Sequence, residues 1–257
     1  MSASVNYIAL KSIVRKECTR FLRIWVQTLV PPAITTTLYF VIFGGLIGSR
    51  VGEMGGVSYM DYIVPGLIMM SVITSSYSNV ASSFFSAKFQ RNIEELLVAP
   101  VPNYIIVLGY VIGGMCRGLL VGCVVTLVAF LFSDLHFHHV GILVVVILLT
   151  AMLFALGGMF NALFAKTFDD VSIIPTFVLT PLTYLGGVFY SISLLPEVWQ
   201  WVSKLNPIVY MVNTFRYGFL GISDIPVAPS IAMLIAMTIV LFMVILNMLK
   251  RGVGIRS

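Results

Sequence analysis

The chain has 257 residues, of which only 15 are Lys or Arg and 10 are Asp or Glu, while 59% are hydrophobic. A soluble domain carries about a quarter charged residues, which cover its core with a solvated shell. The composition therefore excludes a soluble globular enzyme and a disordered chain, and 3 Cys do not make a disulfide scaffold. What remains is an integral membrane protein, with the bilayer as most of its solvent.

Residues 4–23 read as an amphipathic helix. Leu10, Val14, Cys18, Phe21 and Trp25 recur at steps of three or four, and Lys11, Arg15, Lys16, Arg20 and Arg23 fall mostly on the other face. Such a helix lies among headgroups, as a plain anchor or with its basic side toward anionic lipid or a cytosolic partner. Uncharged runs follow at 24–49, 62–87, 135–165, 171–196 and 225–249, with a sixth at 96–133 broken only by Arg117. A spanning helix needs about 20 apolar residues. Six spans are expected, at about 26–48, 62–86, 106–132, 142–165, 173–191 and 228–249. The runs are continuously apolar and lack dyad alternation, so helices are expected and not a barrel. The fold class is thus an all-α integral membrane protein, a single transmembrane domain over 1–257.

Within the spans, Pro31-Pro32 should kink or tighten the start of the first. The second carries a polar run from Ser71 to Ser83 that includes Ser75 and Asn79. It serves either hydrogen bonding across a helix interface or a wall facing a substrate. Residues 88–99, KFQRNIEELLVA, form a short charged segment that stops at Pro100 and Pro102. It reads as an ordinary solvated loop or as a docking helix. The third span has small-residue ridges at steps of four, Gly109/Gly113 and Gly114/Gly118/Gly122, which permit close helix packing. The fifth holds Pro175, Pro181 and Gly186-Gly187. Residues 186–224 are too interrupted for a span and too apolar for a free loop, so short re-entrant or interfacial helices are expected at 193–220, with Trp and Tyr at headgroup level.

Orientation follows from the cations. With the N-terminus cytoplasmic, Lys11, Arg15, Lys16, Arg20, Arg23, Lys88, Arg91, Lys166, Lys250, Arg251 and Arg256 lie inside, and only Arg50, Lys204 and Arg216 outside. That bias puts both termini in the cytoplasm. The net charge of +5 reflects this split, and no basic stripe for nucleic acid forms. No cleavable signal peptide is evident in the first 23 residues. Cys18, Cys116 and Cys123 read as small apolar fillers. His136, His138 and His139 read as an exposed loop more readily than as a metal site. The chain has no Gly-Lys pair and so no P-loop, and it has no HExxH or GxSxG. No carboxylate falls within a predicted span, which argues against a self-contained ion-coupled carrier. Arg117 does fall within one. Its guanidinium contacts an anionic headgroup, lines a path, or pairs with carbonyls and snorkels.

Two long strings then carry a resemblance. "KFQRNIEELLVAPVPNYIIVLGYVIGGMCRG" at 88–118 and "PTFVLTPLTYLGGVFYSISLLPEVWQWVSKLNPIVYMVNTFRYGFLG" at 175–221, with the basic N-terminus and six spans, resemble the membrane subunit of type-2 ABC exporters essentially end to end. The resemblance implies a bacterial inner-membrane permease working as a homodimer among membrane lipid. It would dock on a cytosolic ABC ATPase dimer that binds ATP and Mg, with no cofactor in this chain. It makes 88–99 a coupling helix, with Lys88, Gln90, Arg91, Asn92, Glu94 and Glu95 as candidates for ATPase contact, joined by Lys166, Asp169 and Asp170. Arg117, Ser75, Asn79, Tyr184 and Phe189 are the candidates for the substrate path or its gate. The cargo would be amphipathic, lipid-like, glycan or drug-like. A non-transporting scaffold or sensor subunit is the alternative.

Overall fold

The computed structural model describes residues 3–133, 135 and 137–254, so His136 and Arg256 lie outside the described residues. Helix α1 covers Ala3–Arg23 and breaks at Ile24 before α2, Trp25–Tyr39. Pro31 and Pro32 sit inside α2. A π-helical stretch, Phe40–Ile47, and the short α3, Gly48–Val51, complete that rod. A two-stranded hairpin, β1 Glu53–Met54 and β2 Val57–Ser58, leads into α4, Tyr59–Phe89. Next come α5, Asn92–Val98, α6, Asn103–Ala129, and α7, Val140–Phe164. Helices α8, Phe168–Ile174, and α9, Thr180–Tyr184, flank a second π-helical stretch, Pro175–Leu179. The chain ends with α10, Glu197–Lys204, α11, Pro207–Leu220, and α12, Val227–Arg251.

Among the described residues, five helical stretches are long and apolar enough to cross a membrane: Trp25–Val51, Tyr59–Phe89, Asn103–Ala129, Val140–Phe164 and Val227–Arg251. The sixth expected span, 173–191, is not among them. Residues 168–184 are helical but broken, because Pro175 and Pro181 lack amide donors and the ladder widens. The Thr180 hydroxyl and amide both turn back to the Pro175 carbonyl. The chain then leaves the helix, and Gly187 turns it at φ 72°.

Helix α4 is the centre of the molecule, with 78% of its most apolar window buried, against 11% for Trp25–Val51 and 17% for α12. Both glycine ridges of α6 are occupied within the chain. Gly109 and Gly113 seat Ile13 and Glu17 of α1, while Gly114, Gly118 and Gly122 seat Val80, Ser76 and Val72 of α4. Gly158 of α7 lies against the Tyr77 backbone. Close approach of backbones is what small residues provide in apolar surroundings. These ridges therefore build the protomer, and the largely unburied faces of α2 and α12 are what is left for lipid or another chain.

Candidate functional site

Three polar or aromatic constellations stand along α4. At one end, Gln90 closes the helix and Arg91 turns the chain at φ 60°, a left-handed conformation costly for a side chain with Cβ. That turn aims α5 back under the bundle, and Ile93, 1% exposed, anchors it in the core. Lys88 donates from Nζ to the carbonyls of Ala162 (3.3 Å), Leu163 (2.7 Å) and Ala165 (2.8 Å), capping the negative end of α7. A cleft of about 580 Å³ opens here, lined by Phe85, Lys88, Phe89, Arg91, Glu94, Phe164 and Lys166 among others. Phe168 meets the Phe85 ring at 4.9 Å and the Phe89 ring at 5.2 Å, and Phe89, Phe164 and Phe168 are all more than half exposed.

Of the sequence candidates, Lys88, Arg91, Glu94 and Lys166 line this one opening. Gln90 and Asn92 are not among its lining residues and bond each other, Asn92 Nδ2 donating to Gln90 Oε1 at 3.2 Å. Glu95 is exposed on α5, and Asp169 is exposed in the first turn of α8. Asp170 closes a capping box with Thr167, and its Oδ2 accepts from the amides of Lys166 (2.8 Å) and Thr167 (2.9 Å). Those amide bonds hold the Asp170 carboxyl below its ordinary range.

The second constellation lies on the flank where α1 meets α4 and α6. The buried face of α1 is Ile13, Glu17 and Phe21. The amphipathic reading centred on Leu10, Val14 and Cys18 is off by one residue, because the glycine seats of α6 select the face. Glu17 is fully buried. It pairs with Arg20 at 3.2 Å and accepts from Ser83 Oγ at 2.7 Å. Arg20 Nη2 also donates to Asn79 Oδ1 at 2.8 Å and to the Asn79 carbonyl at 3.0 Å. Arg117 stands one turn beyond Gly113 on the same face of α6, and its Nε is buried without a partner. Asn79 is therefore enclosed under α1 on the flank that also carries Arg117, apart from Ser75, Tyr184 and Phe189.

At the other end, Ser75 lines a groove of about 250 Å³ between α2 and α4, with Pro31, Thr35, Tyr39 and Ser71. Tyr39 closes it. Its hydroxyl is hydrogen-bonded to that of Tyr184 at 2.5 Å, and Phe189 stacks on Phe43 at 4.6 Å and on Tyr184 at 5.8 Å. The Tyr59 hydroxyl donates to the Phe189 carbonyl at 3.0 Å. Ser75 thus lines the groove, while Tyr184 and Phe189 meet it only through Tyr39. Beside it, Arg216 is 1% exposed, stacks on the Tyr62 ring at 3.8 Å and donates to the Gly187 carbonyl at 2.6 Å. Counting it among free outer-loop cations overlooked a core arginine.

A family profile, ABC-2 type transporter, matches residues 8–220. The chain belongs to the ABC-2 type transporter family. Inner membrane transport permease YadH of Escherichia coli (strain K12) is 61% identical over 251 residues, 98% of each chain. Nodulation protein J of Rhizobium leguminosarum bv. viciae is 26% identical over 215 residues, 83% of each chain. Nodulation protein J of Sinorhizobium fredii (strain NBRC 101917 / NGR234) is 27% identical over 217 residues, covering 84% of this chain. This ABC-2 permease is thus similar to relatives along nearly its whole length.

Sequence reasoning missed Glu17, Tyr39, Phe43, Arg216 and the phenylalanines of the cleft. Glu17 had a signal, being the one acid among the first 52 residues. The phenylalanines had none, since exposed aromatics and span aromatics look alike in a chain this apolar.

Proposed function

We propose that the chain is the homodimeric permease of an ATP-driven exporter of the bacterial inner membrane, and that a cytosolic ABC ATPase dimer docks at the cleft between α4, α5 and the end of α7. The observation that carries this reading is the cleft. It joins Phe85–Glu94 to Leu163–Lys166, presents Arg91, Glu94 and Lys166 around exposed Phe89 and Phe164, and lies at the end where the cations predict cytoplasm. An apolar centre rimmed by charge suits a protein partner. Glu94, Glu95, Gln90, Asn92 and Asp169 supply rim contacts, while Lys88 and Asp170 hold the two loops in place. The substrate, an amphipathic or lipid-like, glycan or drug-like molecule, passes the groove of Ser75, Tyr39 and Tyr184, with the Phe189 stack as its outer closure. α10 and α11 then serve as the re-entrant outer cap.

Nucleotide can shift a permease only through contacts that differ between its states. Arg91→Glu and Glu94→Lys are expected to abolish substrate-stimulated ATP hydrolysis by the reconstituted complex while leaving the permease folded. If the ATPase still assembles with both variants and stimulation is unchanged, the cleft is not the coupling site.

A further inference from the structure

Helix α1 brings two cations, Lys16 and Arg20, and one acid, Glu17, against α6, which adds a third cation, Arg117. Lys16 Nζ stands 5.9 Å from the centroid of the Tyr110 ring, and Arg20 is held by Glu17 and Asn79. Tyr110, Gly113 and Arg117 share one face of α6, at steps of three and four. Glu17 covers Gly113, so the next turn of α1, with Arg20, comes level with Arg117. The Arg20–Glu17 contact is the one ion pair among the described residues, and it leaves Arg117 uncompensated.

The uncompensated atoms are all donors. Arg117 Nε, Asn79 Nδ2 and Tyr110 Oη are buried with no hydrogen-bond partner. A buried donor without an acceptor is costly, and more so when it is charged. Arg117 as a residue is partly exposed, and only its Nε is among the buried unpartnered atoms, so the side chain can be reached from outside the bundle. Side chains on a helix lean toward its N-terminus. Arg117 therefore leans toward the Asn103 end of α6, the cytoplasmic side in the proposed orientation.

We infer that Arg117, with Arg20 and Lys16, forms a receptor for the oxyanion of an anionic lipid headgroup, a phosphate ester drawn in from the inner leaflet beside α1. The site has excess positive charge and surplus donors, and a phosphate supplies both the charge and the acceptors. A planar guanidinium matches two phosphate oxygens at once. Glu17 fixes Arg20 so that its charge stays on this side of the cluster.

The test reads binding by the full-length chain in detergent. Phosphatidylglycerol and phosphatidylcholine of matched chains are offered in equal amounts, and retained lipid is measured by native mass spectrometry. The wild type is expected to retain phosphatidylglycerol over phosphatidylcholine by about tenfold, the scale of one charge-assisted contact. Arg117→Gln is expected to erase the preference, and Arg117→Lys to keep part of it. A wild type without preference, or an Arg117→Gln chain that keeps it in full, overturns the inference. The wild-type result decides alone if the Gln variant does not fold. Dodecyl phosphate should displace the bound lipid, and inorganic phosphate at the same concentration should not. Equal displacement by inorganic phosphate assigns the site to a free anion and overturns the lipid reading. The inference deepens the export reading but does not share its fate. Lost ATP-driven export with headgroup preference intact faults the export reading alone.

Discussion

Gly158→Ala tests whether the α4–α7 contact sets the packing of the bundle. A Cβ at Gly158 would lie 2.3 Å from the Tyr77 carbonyl oxygen and 3.1 Å from the Ala81 amide nitrogen. Non-bonded heavy atoms rest at about 3.5 Å or more, so α7 must retreat by roughly 1 Å. Overpacking of a tight core costs about 1–3 kcal/mol, and the obstacle here is backbone, which has no rotamer to escape into, so the upper end applies. Alanine returns about 1 kcal/mol of helix propensity over glycine. The net loss is about 2 kcal/mol, or a midpoint lower by roughly 4–8 °C for a chain of this size. Gly141→Ala is the control, because a Cβ there meets nothing within 4 Å. The assay is size-exclusion recovery of detergent-purified protein after graded heating. A Gly158→Ala midpoint equal to the wild type, or an equal drop in Gly141→Ala, refutes the reasoning.

Lys88→Met keeps the stem but removes the donor from three carbonyls at the end of α7. It is expected to cost about 2 kcal/mol and to speed amide exchange in residues 162–166, read by hydrogen–deuterium exchange. Asp170 tests pH linkage at the start of α8. Its folded carboxyl titrates below its unfolded value, so its contribution is fully present above the unfolded pKa and is lost as pH falls through the folded one. Intrinsic-rate-corrected protection of the Lys166 and Thr167 amides should fall with acid in the wild type, and Asp170→Asn should flatten that dependence. Tyr39→Phe and Tyr184→Phe break one shared hydroxyl contact. Their thermal effects should therefore be non-additive, with a coupling of about 1 kcal/mol in a double-mutant cycle.

The spans were legible because the bilayer imposes length and apolarity on every helix that crosses it. Five such stretches stand where the charge-free runs place them. The sixth run misleads for a physical reason. A long apolar run is necessary for a span but says nothing of Pro175 and Pro181, which widen the helix into a π stretch, or of Gly187, which turns the chain soon after the helix ends at Tyr184. The ridges of α6 were legible as sites of close packing but not as to their partners. Small residues announce that something approaches, and only the fold shows that it is α1 and α4 and not a second copy. Glu17 was hidden by its neighbours. An acid in a basic helix reads as solvated, and only the tertiary contacts with Ser83 of α4 and the Gly113 seat of α6 turn it inward. Arg91 and Glu94 in one loop and Lys166 in the other were each legible as charge between spans. Their meeting around one opening depends on Lys88 tying the end of α4 to that of α7.

One helix touches all three constellations, and this constrains how the proposed exporter can work. Toward one end α4 carries Lys88 on the α7 carbonyls. Further along, Ser83 and Asn79 hold Glu17 and Arg20. Beyond them Ser75 lines the outer groove, and Tyr59 donates to the Phe189 carbonyl. A helix so deeply buried cannot bend at one station without disturbing the packing at the next, since cores transmit strain instead of absorbing it. The compliant parts are the two π-helical stretches, Phe40–Ile47 and Pro175–Leu179, in the segments that bring Tyr39, Phe43 and Tyr184 to the outer stack. π-turns often mark functional positions in helices. In the proposed cycle, force at the cleft shifts α4 as a rod, and the π segments let the Tyr39–Tyr184 contact part. Replacing Pro175 with Ala restores an amide donor to the second stretch. The variant should slow export while leaving substrate-stimulated ATP hydrolysis in place. Loss of both together would instead place Pro175 in the coupling path itself.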